Sequence, residues 1–175
     1  TTTFNITVNP RPKAVISGTT TICIGTNATL TLAVTGSGTI SGTLSDGTTF
    51  SGTAPTITVT VTPTTTTIYT VTTLSDANCT ASAADFTGSA TVTVTPDATI
   101  ILSSPAGTDA QTVCINTPIA NIVYAIGGSG TGAIVAGLPA GVTGSYNNGL
   151  FTISGTSNIT SGIFTYSVMT TGPCG

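Results

Sequence analysis

Apolar residues alternate with threonine along much of this chain. Residues 28–35 place Leu30, Leu32 and Val34 on one side, and residues 56–61 do the same with Ile57, Val59 and Val61. A period of two sends every second side chain to one face of an extended strand, so both stretches are predicted to be half-buried β-strands. The same reading gives strands at 1–9 (Phe4, Ile6, Val8), 14–17 with 20–24, 38–44, 48–50, 66–74 and 89–95. Asp46-Gly47 marks a hairpin turn between 38–44 and 48–50. Further strands are predicted at 98–103, 113–115, 119–126, 133–136, 150–153 and 163–170. Gly127–Gly130, residues 137–142 and Asn147-Asn148-Gly149 separate them as loops or turns. Strong helix formers are sparse, so no helix is predicted.

The pattern repeats. Thr21-Ile22-Cys23-Ile24-Gly25-Thr26 returns as Thr112-Val113-Cys114-Ile115-Asn116-Thr117, and each cysteine has a second one downstream, Cys79 and Cys174. Two copies of one frame predict two tandem units, with a boundary near Pro96. About seven short strands per unit, with one cysteine early and one late, point to β-sandwiches. An even number of cysteines points to disulfides and an oxidising compartment. Four cysteines allow three connectivities. The repeat favours pairing within units, Cys23–Cys79 and Cys114–Cys174. Each such bond would close a loop of roughly sixty residues and stabilise by about 4 kcal/mol on the chain-entropy estimate.

The repeat also serves as a ruler for phase. Unit one keeps a strand after Cys79, at 89–95, whereas the second has a single residue after Cys174. Residues 1–9 are a surplus strand ahead of the first unit. Ile6-Thr7-Val8-Asn9-Pro10 is similar to Val92-Thr93-Val94-Thr95-Pro96. The expected plan is therefore an orphan strand at 1–10 that completes a neighbour, a β-sandwich at 11–96, and a β-sandwich at 97–175 lacking its last strand. Phe4, Ile6 and Val8 are the expected strand-donor residues. An unpaired sheet edge invites such pairing.

Composition narrows the function. Only 4% of the residues are charged, there is no His, and threonine makes up about a quarter of the chain. A typical soluble domain is about 25% charged. Threonine is β-branched and suits strands, yet offers a hydroxyl to water. With two basic residues, Arg11 and Lys13, the chain has no footprint for nucleic acid. No apolar run approaches the ~20 residues of a membrane span, so no membrane insertion is expected.

Residues 11–96 resemble an immunoglobulin-like repeat of very large secreted surface proteins of Bacteroidota. The resemblance rests on Ile16-Ser17-Gly18, Thr20-Thr21-Ile22-Cys23, Ala28-Thr29-Leu30-Thr31, Pro63 to Thr70, and Ser75-Asp76-Ala77-Asn78-Cys79-Thr80. Residues 97–175 are similar to the polycystic-kidney-disease-like repeat of the same proteins. There the match runs through Gln111-Thr112-Val113-Cys114, Ile122-Val123-Tyr124, Gly137 to Val142, Phe151 to Thr156, Gly162 to Tyr166, and Thr171 to Gly175. Such repeats occur in gliding-motility adhesins and other giant filamentous proteins. The resemblance implies an extracellular, cell-surface, array-forming module, and supplies no catalytic residues.

Candidate chemistry is thin. Five aspartates with no Glu or His leave little for acid–base work, and no enzyme activity, metal or cofactor is expected. Asp46 and Asp76 read as turn residues. Asp97 and Asp109 lack the clustered pattern of a calcium loop. Tyr69, Tyr124, Tyr166, Phe50 and Phe151 read as core. Tyr146, beside the Asn147-Asn148-Gly149 turn, is the ring expected at the surface. The expected function is a structural segment of a surface filament or adhesin fibre, joined end to end to neighbouring copies, with strand complementation as the joint. The alternative is an adhesive module that binds surface glycans through 127–130 or 144–149.

Overall fold

The computed structural model describes residues 2–175. The chain is all-β apart from one short 3-10 turn, and it divides into two compact units, Thr1–Val94 and Thr95–Gly175.

Unit one holds β1 (Lys13–Ser17), β2 (Thr20–Cys23), β3 (Ala28–Thr35), β4 (Ile40–Leu44), β5 (Thr49–Gly52), β6 (Thr56–Val61), β7 (Thr67–Tyr69), β8 (Val71–Ser75), β9 (Phe86–Thr87) and β10 (Ala90–Thr95). One sheet has the order β6-β3-β1-β9. The other strands form β2-β10-β7 and β5-β4-β8, and only Thr70 separates β7 from β8. Leu30, Leu32, Val34, Ile57, Val59 and Val61 bury the apolar face that alternation assigns to β3 and β6. They share one core with Ile40, Leu44, Phe50, Tyr69, Leu74 and Val92 from the other strands, so the unit is a β-sandwich. Gly18 lets the chain leave β1 for β2. Its φ is +114°, and a Cβ there would sit 3.0 Å from the Thr29 carbonyl oxygen.

Unit two holds β11 (Thr99–Leu102), β12 (Ile122–Gly127), β13 (Gly132–Ala136), β14 (Val142–Asn147), β15 (Leu150–Gly155) and β16 (Ser167–Thr171). They form a four-stranded sheet, β11-β12-β15-β14, and a two-stranded sheet, β13-β16. Asn148 and Gly149 both have positive φ, as a two-residue hairpin turn between β14 and β15 requires.

Several expected elements differ, among them the expected strand 163–170, of which 163–166 carry no strand. Residues 2–9 carry no strand, because no other strand pairs with them; Thr1 lies outside the described residues. Residues 113–115 lie in an irregular segment instead of a strand. There the Gln111 side chain takes the place of a strand partner: its amide nitrogen donates to Ala120 O at 2.8 Å and its oxygen accepts from Ala120 N at 2.8 Å. Conversely, 142–147 is a strand where glycines suggested loop. Gly144 is used for close packing, since a Cβ there would lie 2.7 Å from Val135 Cγ1.

The expected disulfide within each unit is not found. Cys79 and Cys114 are free thiols, while Cys23 and Cys174 are disulfide-bonded. The reason is polarity of the strands. In unit one, Lys13 pairs with Thr35 at one pole, and Asp76 and Ala77 bond Ser37 there, which places Cys79 at the same pole. Ten mostly extended residues lead from Lys13 down to Cys23, a run of about 30 Å. A disulfide needs Cα atoms within about 7 Å. In unit two, the Cys174 carbonyl accepts from Ala98 N at 2.7 Å, beside the Thr99–Gly127 end of β12. Cys114 lies by Asn116, whose N–H bonds Ser157, past the Ile122–Ile153 end. The length of β12, about 17 Å, separates those two ends.

Candidate interaction site

The two units share several strand pairings but differ at one edge. In each, the first strand pairs the second long strand: β1 with β3, and β11 with β12. Likewise β4 pairs β8 and β13 pairs β16. Thr67-Ile68-Tyr69-Thr70-Val71 corresponds to Phe164-Thr165-Tyr166-Ser167-Val168 on the shared aromatic and valine positions.

In unit one, this edge is filled. β10 lies between β2 and β7, pairing Ala90 with Tyr69, Thr91 with Ile68 and Val92 with Thr67. Ala90 and Val92 are fully buried, and so is Tyr69. Those hydrogen bonds are what make 67–69 a strand.

In unit two, the edge is open. No strand equivalent to β10 is present among the described residues, and 163–166 carry no strand assignment. Ile163 is 99% exposed and Phe164 46%. A cavity of ≈ 360 Å³ lies against this segment, lined by Ile100, Asp109, Tyr124, Phe164, Tyr166 and Val168 among others. Its floor carries a small polar device: the Tyr124 and Tyr166 hydroxyls are 2.9 Å apart, and Tyr166 donates to the Asp109 carbonyl at 3.5 Å. Burial, then the bond to Tyr124, pushes the Tyr166 hydroxyl well above the ordinary tyrosine range, so it stays a proton donor. The core reflects the opening. Among the described residues, four hydrophobic residues of unit two are buried, Ile122, Val142, Phe151 and Ile153, against seventeen in unit one.

The sequence-assigned donor residues sit apart from any core. Phe4, Ile6 and Val8 are 84%, 90% and 86% exposed. The segment is held at its base: Cys79 Sγ donates to Asn9 O at 3.6 Å, Arg11 pairs with Asp85 at 3.3 Å, and Pro12 is buried.

Asp46 and Asp76 act as turn residues. Asp46 accepts from the backbone and hydroxyl of Thr48 at 2.9 and 2.7 Å. Asp76 accepts from the backbone N–H groups of Ser37, Asn78 and Cys79, each at 2.8 Å, and these bonds hold its carboxyl below the usual range. Asp85 caps the 3-10 turn through Ser82, with the same effect. No group of three His, Cys, Asp or Glu residues that could hold a metal gathers among the described residues. Tyr146 is exposed beside the β14–β15 hairpin turn, while Tyr124 and Tyr166 are half-buried. No helix is long and apolar enough to cross a membrane. The Tyr124–Tyr166 pair had no local signal in the sequence.

No protein-family model and no curated protein matches the chain. Among solved structures, "Anomalous substructure of Titin-A168169" is similar over 95% of this chain and 94% of its own, at 13% identity and a TM-score of 0.37.

Proposed function

We propose that the chain is a structural segment of an extracellular surface fibre, built from tandem immunoglobulin-like and polycystic-kidney-disease-like sandwiches joined end to end to further copies. The observation that carries this reading is the duplicated frame: two compact all-β units share the pairings of their first and long strands. Composition supports it. Threonine faces hydrate without charge, so a long array stays wet without strong dependence on salt. Disulfide-bonded Cys23 and Cys174 suit an oxidising exterior. The work such a module does is mechanical: ladders of backbone hydrogen bonds bear load along the fibre.

Immunogold labelling of intact producing cells with antibodies to unit one tests the reading. Decorated filaments outside the cell are expected. Label that appears only after permeabilisation overturns it. The second reading, an adhesive glycan-binding module, draws on the exposed Tyr146 ring beside the Asn148-Gly149 turn. Binding on a glycan array that a Tyr146→Ala variant abolishes would favour it.

A further inference from the structure

We propose that the free edge of β6 in unit one is an interface for a second copy of this chain, joined antiparallel across a two-fold axis at Thr58. This goes beyond the fibre reading and stands without it. β6 ends its sheet, with β3 as its neighbour on one side. β5 and β7, which flank it in sequence, both lie in other sheets, so the free edge belongs to the fold of unit one.

The phase of the ladder decides what this edge offers. The Val34 N–H donates to the Pro55 carbonyl at 2.8 Å. That bond continues the β3–β6 register, in which Ala33 faces Thr56 and Leu32 faces Ile57. Opposed residues of an antiparallel pair alternate between hydrogen-bonded and non-bonded. Val34 and Pro55 are a bonded pair, so Ile57, Val59 and Val61 turn their backbone groups towards β3. Thr56, Thr58 and Thr60 then turn theirs to the open side. The side chains of these threonines are exposed, while Ile57, Val59 and Val61 are buried. Natural sheet edges are blunted by charge, proline, bulges or shortness. β6 runs 6 residues, against 2 to 5 for β2, β5, β7, β8 and β9, the other strands that end a sheet in unit one. Its register with β3 is unbroken and it carries no charge. Pro55 sits where its missing N–H falls on the β3 side, so it leaves the outer edge intact.

A second copy is the occupant this edge fits. Residues opposite one another in an antiparallel pair share a face. An axis at Thr58 sets Thr58 against its own counterpart and Thr56 against the second copy's Thr60. Ile57 then meets the second copy's Val59 on the inner face, so the apolar rows run on without a break. Every threonine pair is a bonded pair, and each exchanges two backbone hydrogen bonds. A slip of one residue would set Ile57 against Thr60 and mix the faces. A slip of two would leave fewer threonine pairs. Residues 53–64 carry no charge, so no like charges meet across the axis. The product is an isologous dimer in which one sheet of each copy becomes part of a single larger sheet.

Sedimentation of the full-length chain over a range of concentrations tests this. A reversible dimer is expected, with amide exchange slowed at Thr56, Thr58 and Thr60 as it forms. T58K and T58E each set like charges across the axis and should weaken self-association about tenfold or more. Both change an exposed side chain, so the unfolding midpoint of each should stay near that of the parent. Mixing T58K with T58E in equal amounts should restore the dimer, because residue 58 meets its own counterpart. A parent chain that sediments as a monomer at every concentration, variants that dimerise as the parent does, or a mixture that stays monomeric overturns the proposal. A dimer that persists in non-reducing, denaturing electrophoresis is disulfide-linked and overturns it too. A monomer whose Thr56, Thr58 and Thr60 amides are already protected overturns the second-copy assignment, since its own chain then covers the edge.

Discussion

Single residues set two sharp expectations. Cys79 and Cys114 are free, so alkylation in denaturant without reductant should modify two cysteines, Cys79 and Cys114, and reduction should expose the other two. Mass spectrometry reads the count directly, and four adducts without reductant would contradict the assignment. Gly42 lies in β4 where a Cβ would press on the Thr73 carbonyl and sit 2.6 Å from Phe50 Cζ. Gly42→Ala should therefore destabilise unit one by about 1–3 kcal/mol, measured by denaturant unfolding. Nothing in the local sequence marks Gly42 as different from the turn glycines. Its constraint comes from β8 and Phe50, which only the sheet brings together. The cysteines show the same limit: the repeated motif located them but could not say at which pole of a sandwich each would lie.

At the scale of elements, alternation was a reliable guide in the long strands of unit one that have a hydrogen-bonded partner. β3 and β6 match the reading of 28–35 and 56–61 residue for residue, because a period of two leaves one register with the apolar face inward. Leu32 of β3 is fully buried between β1 and β6. Leu32→Ala should cost about 2–5 kcal/mol in the unfolding of unit one, and an unchanged midpoint would mean that this core is not cooperative. Residues 2–9 and 163–166 have the same alternating chemistry but form no strand. A strand exists through its hydrogen-bonded neighbour, and these segments lack one in a single chain. Strand β14 was missed for the opposite reason: Gly144 reads as a breaker, yet it makes room for Phe151 and Val135.

For the whole molecule, the pH profile follows from few groups. The folded state lowers the carboxyls of Asp76 and Asp85 through backbone and side-chain hydrogen bonds, led by Ser37 and Ser82. A depressed carboxyl stabilises above its unfolded pKa of about 3.9, and that gain is lost as pH falls through the folded value. Tyr69 and Tyr166 are raised, chiefly by burial. Their contribution is complete below the unfolded pKa of about 10 and is lost as pH rises towards the folded value. With no His in the chain, the melting midpoint should be nearly flat from about pH 5 to 9 and fall outside that window. Asp76→Asn should lower the midpoint at pH 7 and soften the acid fall, and a steep slope between pH 6 and 8 would contradict the account.

The sequence by itself determined the all-β class, the inward faces of the long strands and the duplicated frame. Each of these depends on local periodicity or on comparing the chain with itself. The tertiary structure decided the state of each cysteine, the use of Gly42 and Gly144, the Tyr124–Tyr166 pair and the cavity beneath 163–168. Those depend on which strand ends share a pole and which edge lacks a neighbour. Such distances are set by sheet order and strand direction, which no stretch of sequence encodes alone.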